Sequence, residues 1–326
     1  MENPRIRTGV IGVGNMGRHH ARVYASMSRS ELVGVYDNDP ARAEQIASAY
    51  DCKAYTSVDA LLADVDAVSI ATPSTLHAEH GLKSLSTGVH CLIEKPLAVS
   101  REDCEALASA AKENGMVLHV GHIERFNPVI GQLKKMLPKD LVVHNVNARR
   151  MSATSARIKD VDVVMDLMIH DLDITLFLRE GRKVVSVDAK GFGGDLVTAL
   201  LGFDDGSFAN VTASRVTQRK IRKLQMSTDS GLFDVDYIDQ KLHIYRQSSD
   251  PRPFESGQDG TYLLDQSVER VMVRHAEPLQ RELTAFIDAI QLGTDGGVSA
   301  LEALNALELA WAIQKRLADS QQGSTS

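Results

Sequence analysis

The stretch IRTGVIGVGNMGRHHARVY, from Ile6 to Tyr24, constrains this chain more than any other. A short apolar run of strand character ends in Gly12-Val13-Gly14-Asn15-Met16-Gly17, and a helical pattern follows at once. In G-x-G-x-x-G the first glycine permits the tight turn, the second lets the backbone approach a pyrophosphate, and the third lets the helix pack closely on the strand. The N-terminal amides of that helix then face the anion. Asp37 closes the next predicted strand, 20 residues after Gly17. A carboxylate there accepts hydrogen bonds from ribose hydroxyls and disfavours a 2′-phosphate. Gly12, Gly14, Asn15, Met16, Gly17 and Asp37 are therefore candidate NAD-binding residues. Arg42 leaves NADP open, and a glycine turn without a ligand is the competing reading.

Strands and helices alternate through the first 120 residues. ELVGVYD, DAVSIAT, HCLIEK and MVLHVGH have strand character. Between them lie DPARAEQIASAY, with Asp39 as N-cap and Pro40 in the first turn, and SREDCEALASAAKENG, opened by Ser100 and closed by Gly115. This alternation predicts βαβ units and a parallel sheet. After about residue 140 the rhythm changes to consecutive strands joined by turns such as DDG at 204–206 and DSG at 229–231, interrupted by one helix and closed by two. The reading is an α/β domain over residues 1–121, an α+β domain over 122–319 with a mixed, mostly antiparallel sheet, and a disordered polar tail over 320–326.

Length and charge narrow the function. A chain of 326 residues exceeds one ordinary core. Acidic residues outnumber basic ones, 43 to 36, and aromatic residues make up 5%, which argues against nucleic acid as a partner. Cys52, Cys91 and Cys104 show neither metal-ligand spacing nor a disulfide framework, which suits a reducing compartment. The N-terminus has no signal-peptide pattern and no run is long and apolar enough for a membrane span, so a cytoplasmic location is expected.

Four further segments carry candidate chemistry. Thr72-Pro73 and His77, in ATPSTLH, follow the third strand, where open α/β sheets bind ligands; an ordinary turn is equally open. Glu94-Lys95-Pro96 ends the fourth strand on the same side, with a solvated ion pair as the alternative, and Pro96 biases Lys95 toward extended backbone. In DLMIHDLD, Asp166, His170 and Asp173 fall at i, i+4 and i+7, a polar stripe on an apolar helix. Asp166 beside His170 suits general-base chemistry, a satisfied buried pair is the plain reading, and no third ligand spacing suggests a metal. GHIERFNP places His122, Glu124, Arg125 and Asn127 at the crossover between the halves. Arg149, Arg150 and Arg157 flank the next loop, as phosphate ligands or as a solvated face, while His19, His20 and His90 read as structural.

Taken together, GVGNMG, EKP and D-x-x-x-H-x-x-D, in that order, resemble the Gfo/Idh/MocA oxidoreductase family over nearly the whole chain. The resemblance implies a Rossmann domain, then a sheet domain with helices on one side and an open face that makes a homodimer or homotetramer. It implies Lys95, Asp166 and His170 at the substrate. Position in the sequence makes Thr72, Pro73, His77, Glu94 and Lys95 further NAD candidates, and His122, Glu124, Arg125, Asn127, Arg149, Arg157 and Asp173 substrate candidates. VGHIERFNP and DVDVVMDLMIHDLDI are similar to the branch that oxidises C3 of the UDP-sugar UDP-N-acetylglucosamine on the way to lipid A amino sugars. A free sugar or inositol as substrate, and a non-catalytic dinucleotide sensor, are the alternatives. Many relatives carry G-G-x-x-x-D-x-G-x-H where this chain has VVMDLMIH, so a differently shaped loop is expected before the helix.

Overall fold

Strand β1 (Ile6–Ile11) passes through the glycine turn into helix α1 (Gly17–Ser26). The computed structural model describes residues 4–138, 140–153, 162–247 and 266–322. The chain then builds β2 (Ser30–Tyr36), α2 (Pro40–Tyr50), β3 (Lys53–Tyr55), α3 (Val58–Leu62) and β4 (Ala67–Ile70). A second half follows, with α4 (His77–Ser86), β5 (His90–Glu94), α5 (Arg101–Glu113) and β6 (Leu118–Gly121). All six strands are parallel, in the order β3-β2-β1-β4-β5-β6. This is the doubly wound arrangement, with its switch point between β1 and β4. The caps fall where the sequence puts them: Asp39 accepts from the amides of Ala41 and Arg42, and Ser100 from that of Asp103. β3 and α3 were not anticipated, because three and five residues are too few to show a period.

The second sheet has eight strands. Helix α6 (Pro128–Met136) leads to β7 (Val143–Met151); a π-helical turn, Val164–Met168, leads into α7 (Ile169–Leu178). Then come β8 (Val184–Phe192), β9 (Leu196–Phe203), β10 (Phe208–Ser214), β11 (Ile221–Thr228), β12 (Gly231–Asp236), β13 (Lys241–Gln247) and β14 (Gln266–Val271). The order is β14-β13-β12-β11-β7-β10-β9-β8, antiparallel apart from the β7–β10 pair. Alternation along the strands turns Val146, Ala148, Val211, Leu224, Met226, Val235 and Ile244 to a core that they share with Ile130, Leu133, Leu172 and Ile313. The other face carries Asn147, Arg149, Thr212 and Gln225, with Leu200 and Phe208 exposed.

Two units result, and their limits differ from the expected single cut. Residues 4–126 pack with 276–308, while the described residues of 127–275 pack with 309–322. Helix α8 (Pro278–Leu292), expected in the second domain, thus belongs to the first: Leu279, Leu283, Phe286 and Ile287 join Val10, Tyr24 and Leu92 in one core. Its apolar face has the 3.6-residue period of any amphipathic helix, which does not say which sheet it will cover. Helix α9 (Ala300–Gln322) includes the first residues of the expected disordered tail, and 323–326 lie outside the described residues. No described helix is long and apolar enough to cross a membrane.

Candidate active site

The glycine turn has the geometry its sequence demands. Gly12 adopts φ +84°, and a Cβ there would press on the Ala71 backbone at 2.9 Å. A Cβ on Gly17 would lie 1.8 Å from the Gly12 carbonyl oxygen. Gly14 differs, since its Cβ would meet nothing within 4 Å, leaving open room over its backbone. Met16 is the N-cap of α1, and no described side chain caps that helix. The amides of Arg18 and His19 turn back to the carbonyls of Gly14, at 3.4 Å, and Met16, at 2.8 Å. Asn15, exposed beside them, accepts from Arg18 at 3.3 Å. Asp37 is buried and accepts from the Val13 amide at 2.8 Å and the Asp39 amide at 2.9 Å, with Arg42 at 3.2 Å. The hydroxyl of Thr72, beside Gly12, is buried without a partner among the described residues. Room over Gly14, an unsatisfied hydroxyl and a braced carboxylate together fit a dinucleotide.

At the adjacent strand ends, the candidates are tied to one another. The Lys95–Pro96 peptide is cis. His77 is buried, with Nδ1 2.8 Å from the Pro96 carbonyl and Nε2 2.9 Å from that of Thr72, so its ring links the two ligand-facing turns. Burial lowers its pKa against the pull of both carbonyls. Pro73 is exposed beside it, and Lys95 is half-buried. Glu94 is buried, with Oε1 2.8 Å from His20 Nε2. Burial alone would raise the Glu94 pKa; the hydrogen bond and charge of His20, then the charge of Lys95, outweigh it and hold the carboxyl below its ordinary range.

Of the crossover residues, Arg125 and Asn127 bond to neighbouring segments. His122 and Glu124 are buried in the turn after β6. Arg125 pairs with Glu302, whose carboxylate also accepts from Ser299. Asn127 caps α6 through the Val129 amide and donates to the Tyr237 carbonyl at 3.1 Å.

In the second unit, Asp162 accepts from the amides of Val164 and Met165 and so starts the turn that carries Asp166. The Ile169 amide bonds back to the Val164 carbonyl, five residues away, which makes the turn π-helical. Asp166 and His170 are half-buried, whereas Asp173 is fully buried with the core side of α7. The expected stripe is therefore split. Asp166 lies 3.6 Å from Arg215, which also donates to Asp195 at 2.9 Å. Arg150 makes a buried fork with Asp171, at 3.0 and 2.9 Å, so it is not a surface phosphate ligand. Arg149, its neighbour in β7, points to the sheet face away from α7, and the structure does not bring it to the helix that carries His170. Arg157 and the loop expected to differ from relatives fall mostly on residues 154–161, outside the described ones.

His20, read as structural, bonds to Glu94 and Ser69, and Ser69 to Tyr24; Ser69, Tyr24 and Arg215, the last beside Asp166, were not singled out by the sequence reading. His20 and Tyr24 are four apart on α1 and share its inner face. Arg150 is in phase with Val146 and Ala148, and that alternation marks it as inward. Arg215 follows a strand end and has no comparable signal.

Comparison with known proteins gives four matches of note. The profile of the oxidoreductase family with an NAD-binding Rossmann fold, Gfo/Idh/MocA, matches residues 6–122. The UDP-N-acetylglucosamine 3-dehydrogenase of Acidithiobacillus ferrooxidans is 39% identical over 293 residues, 87% of this chain and 88% of that protein. A solved structure of that bacterium's UDP-N-acetylglucosamine 3-dehydrogenase matches with a TM-score of 0.87 at 35% identity, covering 97% of this chain and 98% of that one. The inositol 2-dehydrogenase of Rhizobium meliloti is 28% identical over 333 residues, 97% of this chain and 98% of that protein.

Proposed function

We propose, since this chain belongs to the Gfo/Idh/MocA oxidoreductase family and binds NAD, that it oxidises the C3 hydroxyl of UDP-N-acetylglucosamine to the 3-keto sugar nucleotide. The observation that carries the substrate is the likeness to the Acidithiobacillus enzyme along almost all of both chains. NAD, when bound, supplies the hydride acceptor. The turn from Gly14 to Gly17 would hold its pyrophosphate and Asp37 its adenosine ribose. Lys95 donates a hydrogen bond to the oxygen on C3 as negative charge develops there. His170 takes the hydroxyl proton on an imidazole nitrogen, with Asp166 orienting it, or the two exchange roles with Lys95 as acceptor. The ketone product suits conversion to a 3-amino sugar of the kind used in lipid A. A cytoplasmic location fits a nucleotide-sugar substrate, and a homo-oligomer through the open sheet face fits the exposed Leu200 and Phe208.

The test is to supply NAD with UDP-N-acetylglucosamine, other UDP-sugars, inositol and glucose, and to follow NADH while a carbonyl reagent removes the ketone. Lys95→Met should lower turnover by about 10²–10⁴-fold. NAD affinity should change far less, because the pyrophosphate is held at Gly12 to Gly17. A response confined to inositol or glucose would overturn the sugar-nucleotide assignment and favour the inositol dehydrogenase likeness instead.

A further inference from the structure

The turn that carries Asp166 is tied to the tip of one hairpin. Strands β8 and β9 are joined through Gly193 and Gly194, with φ +62° and +73°, two successive left-handed residues that make a tight hairpin turn. The tip reaches the start of the Asp166 turn directly, since the Gly194 carbonyl accepts from the Val163 amide at 3.2 Å. One residue earlier, Asp162 accepts from the amides of Val164 and Met165 and is itself fixed by Gln314 of α9 at 2.6 Å. The next residue of the tip, Asp195, holds Arg215 twice. Its carbonyl accepts from the Arg215 amide at 2.8 Å. Its carboxylate accepts from Nε at 2.9 Å, with Nη2 2.8 Å from the same oxygen. With Nε and Nη2 engaged there, Nη1 lies 3.6 Å from Asp166 Oδ2. The Arg215 and Asp166 side chains are 10% and 17% exposed, so water and salt screen their attraction less than they would at the surface.

We propose that Arg215 is a positioning residue for Asp166: braced by Asp195, its guanidinium fixes the carboxylate that orients His170, so the β8–β9 hairpin tip sets the geometry at His170. This rests on the reading of Asp166 as the residue that orients His170. An arginine suits the task because its donors form a rigid, permanently charged fork, which can engage one carboxylate and still present an N–H to a second. Loss of the guanidinium leaves Asp166 and Asp195 without the cation they share. Their like charges then push the Asp166 carboxylate from its place. Arg215 acts on Asp166 and not on the reacting atoms, so the loss falls on turnover and not on the binding of the sugar nucleotide.

The experiment is a double-variant cycle on the full-length protein, read by NADH formation from NAD and UDP-N-acetylglucosamine. Arg215→Met keeps the apolar stem and removes the charge. It should lower kcat about ten- to a hundred-fold and leave KM for the sugar nucleotide within about three-fold. Arg215→Lys, which keeps a cation there, should restore most of the loss. Asp166→Asn should lower kcat by itself, and adding Arg215→Met should lower it no further, because the two residues act as one unit. A role in packing alone would instead lower Tm in step with kcat and multiply the two losses. Where Arg215→Met does not fold, Asp195→Ala, at a side chain 41% exposed, removes only the brace and should lower kcat about three- to ten-fold. Parent-like kcat in Arg215→Met or in Asp195→Ala, or losses that multiply in the double variant, would overturn the proposal while Asp166→Asn remains slow. Parent-like turnover in Asp166→Asn would overturn the reading of Asp166, and the proposal with it.

Discussion

Asp171→Asn should destabilise the second unit far more than its conservative size suggests. The Asp171 carboxylate is 1% exposed and the Arg150 side chain 2%, and they meet through two hydrogen bonds of 3.0 and 2.9 Å. Arg150 also lies 5.5 Å over the Tyr237 ring. The pair joins α7 to β7 at the residue next to His170. Removing one charge leaves the guanidinium buried against a neutral amide. Breaking such a pair costs about 3–5 kcal/mol. In a domain of this size each kcal/mol lowers Tm by about 2–4 °C, so the drop should be roughly 6–20 °C. Calorimetry is the assay, with NAD added to identify the transition of the first unit, which the ligand stabilises. Arg150→Met combined with Asp171→Leu should recover most of the loss, since an apolar pair of similar volume has no desolvated charge. A fall of less than about 2 °C in Asp171→Asn would refute the reasoning. So would a double variant worse than the single one.

Three other outcomes follow from the first unit. Asp37→Ala should weaken NAD about ten- to a hundred-fold and relax the preference over NADP, because charged hydrogen bonds to the ribose are lost while Arg42 remains; binding titrations with both cofactors check it. Gly17→Ala should abolish NAD binding in fluorescence titrations, since its Cβ would stand 1.8 Å from the Gly12 carbonyl and the turn must open. His119, packed on Phe286, has its pKa lowered by burial from 6.5 to about 4, so it helps stability above pH 6.5, and that help is lost as pH falls toward about 4. His119→Phe should flatten the decline in Tm across that window, and an unchanged slope would discount the burial of His119 as its cause.

Much of the fold was legible because its determinants are local. The turn at Gly12 to Gly17, the caps Asp39 and Ser100, and the alternation along β7, β11 and β12 each depend on residues a few positions apart. The placement of α8 was not legible, for the opposite reason. Leu283, Phe286 and Ile287 form a stripe that would suit either sheet, and only the folded chain shows that it lies with Val10 and Tyr24. Periodicity says that a face is buried; it does not name the partner.

The same distinction governs the site. Asp37 was legible as a candidate because its distance from the glycines is a property of one βαβ unit, and the structure sets it against the Val13 amide. His20, the partner of Glu94 in α1, lies 74 residues away in sequence, so no window of sequence contains the pair His20–Glu94. The helix motif fails more subtly. D-x-x-x-H-x-x-D reads as one stripe only if each turn is α-helical, and the bond from Ile169 to Val164 widens one of them. That single added residue in the turn leaves Asp166 and His170 half-buried while Asp173 goes into the core. An i, i+7 relation is thus a statement about helix type as much as about spacing. Asp173→Asn should accordingly act on the thermal transition of the second unit, as Asp171→Asn does, and leave the pH profile of turnover where it was. A shifted profile with an unchanged Tm would return Asp173 to the substrate.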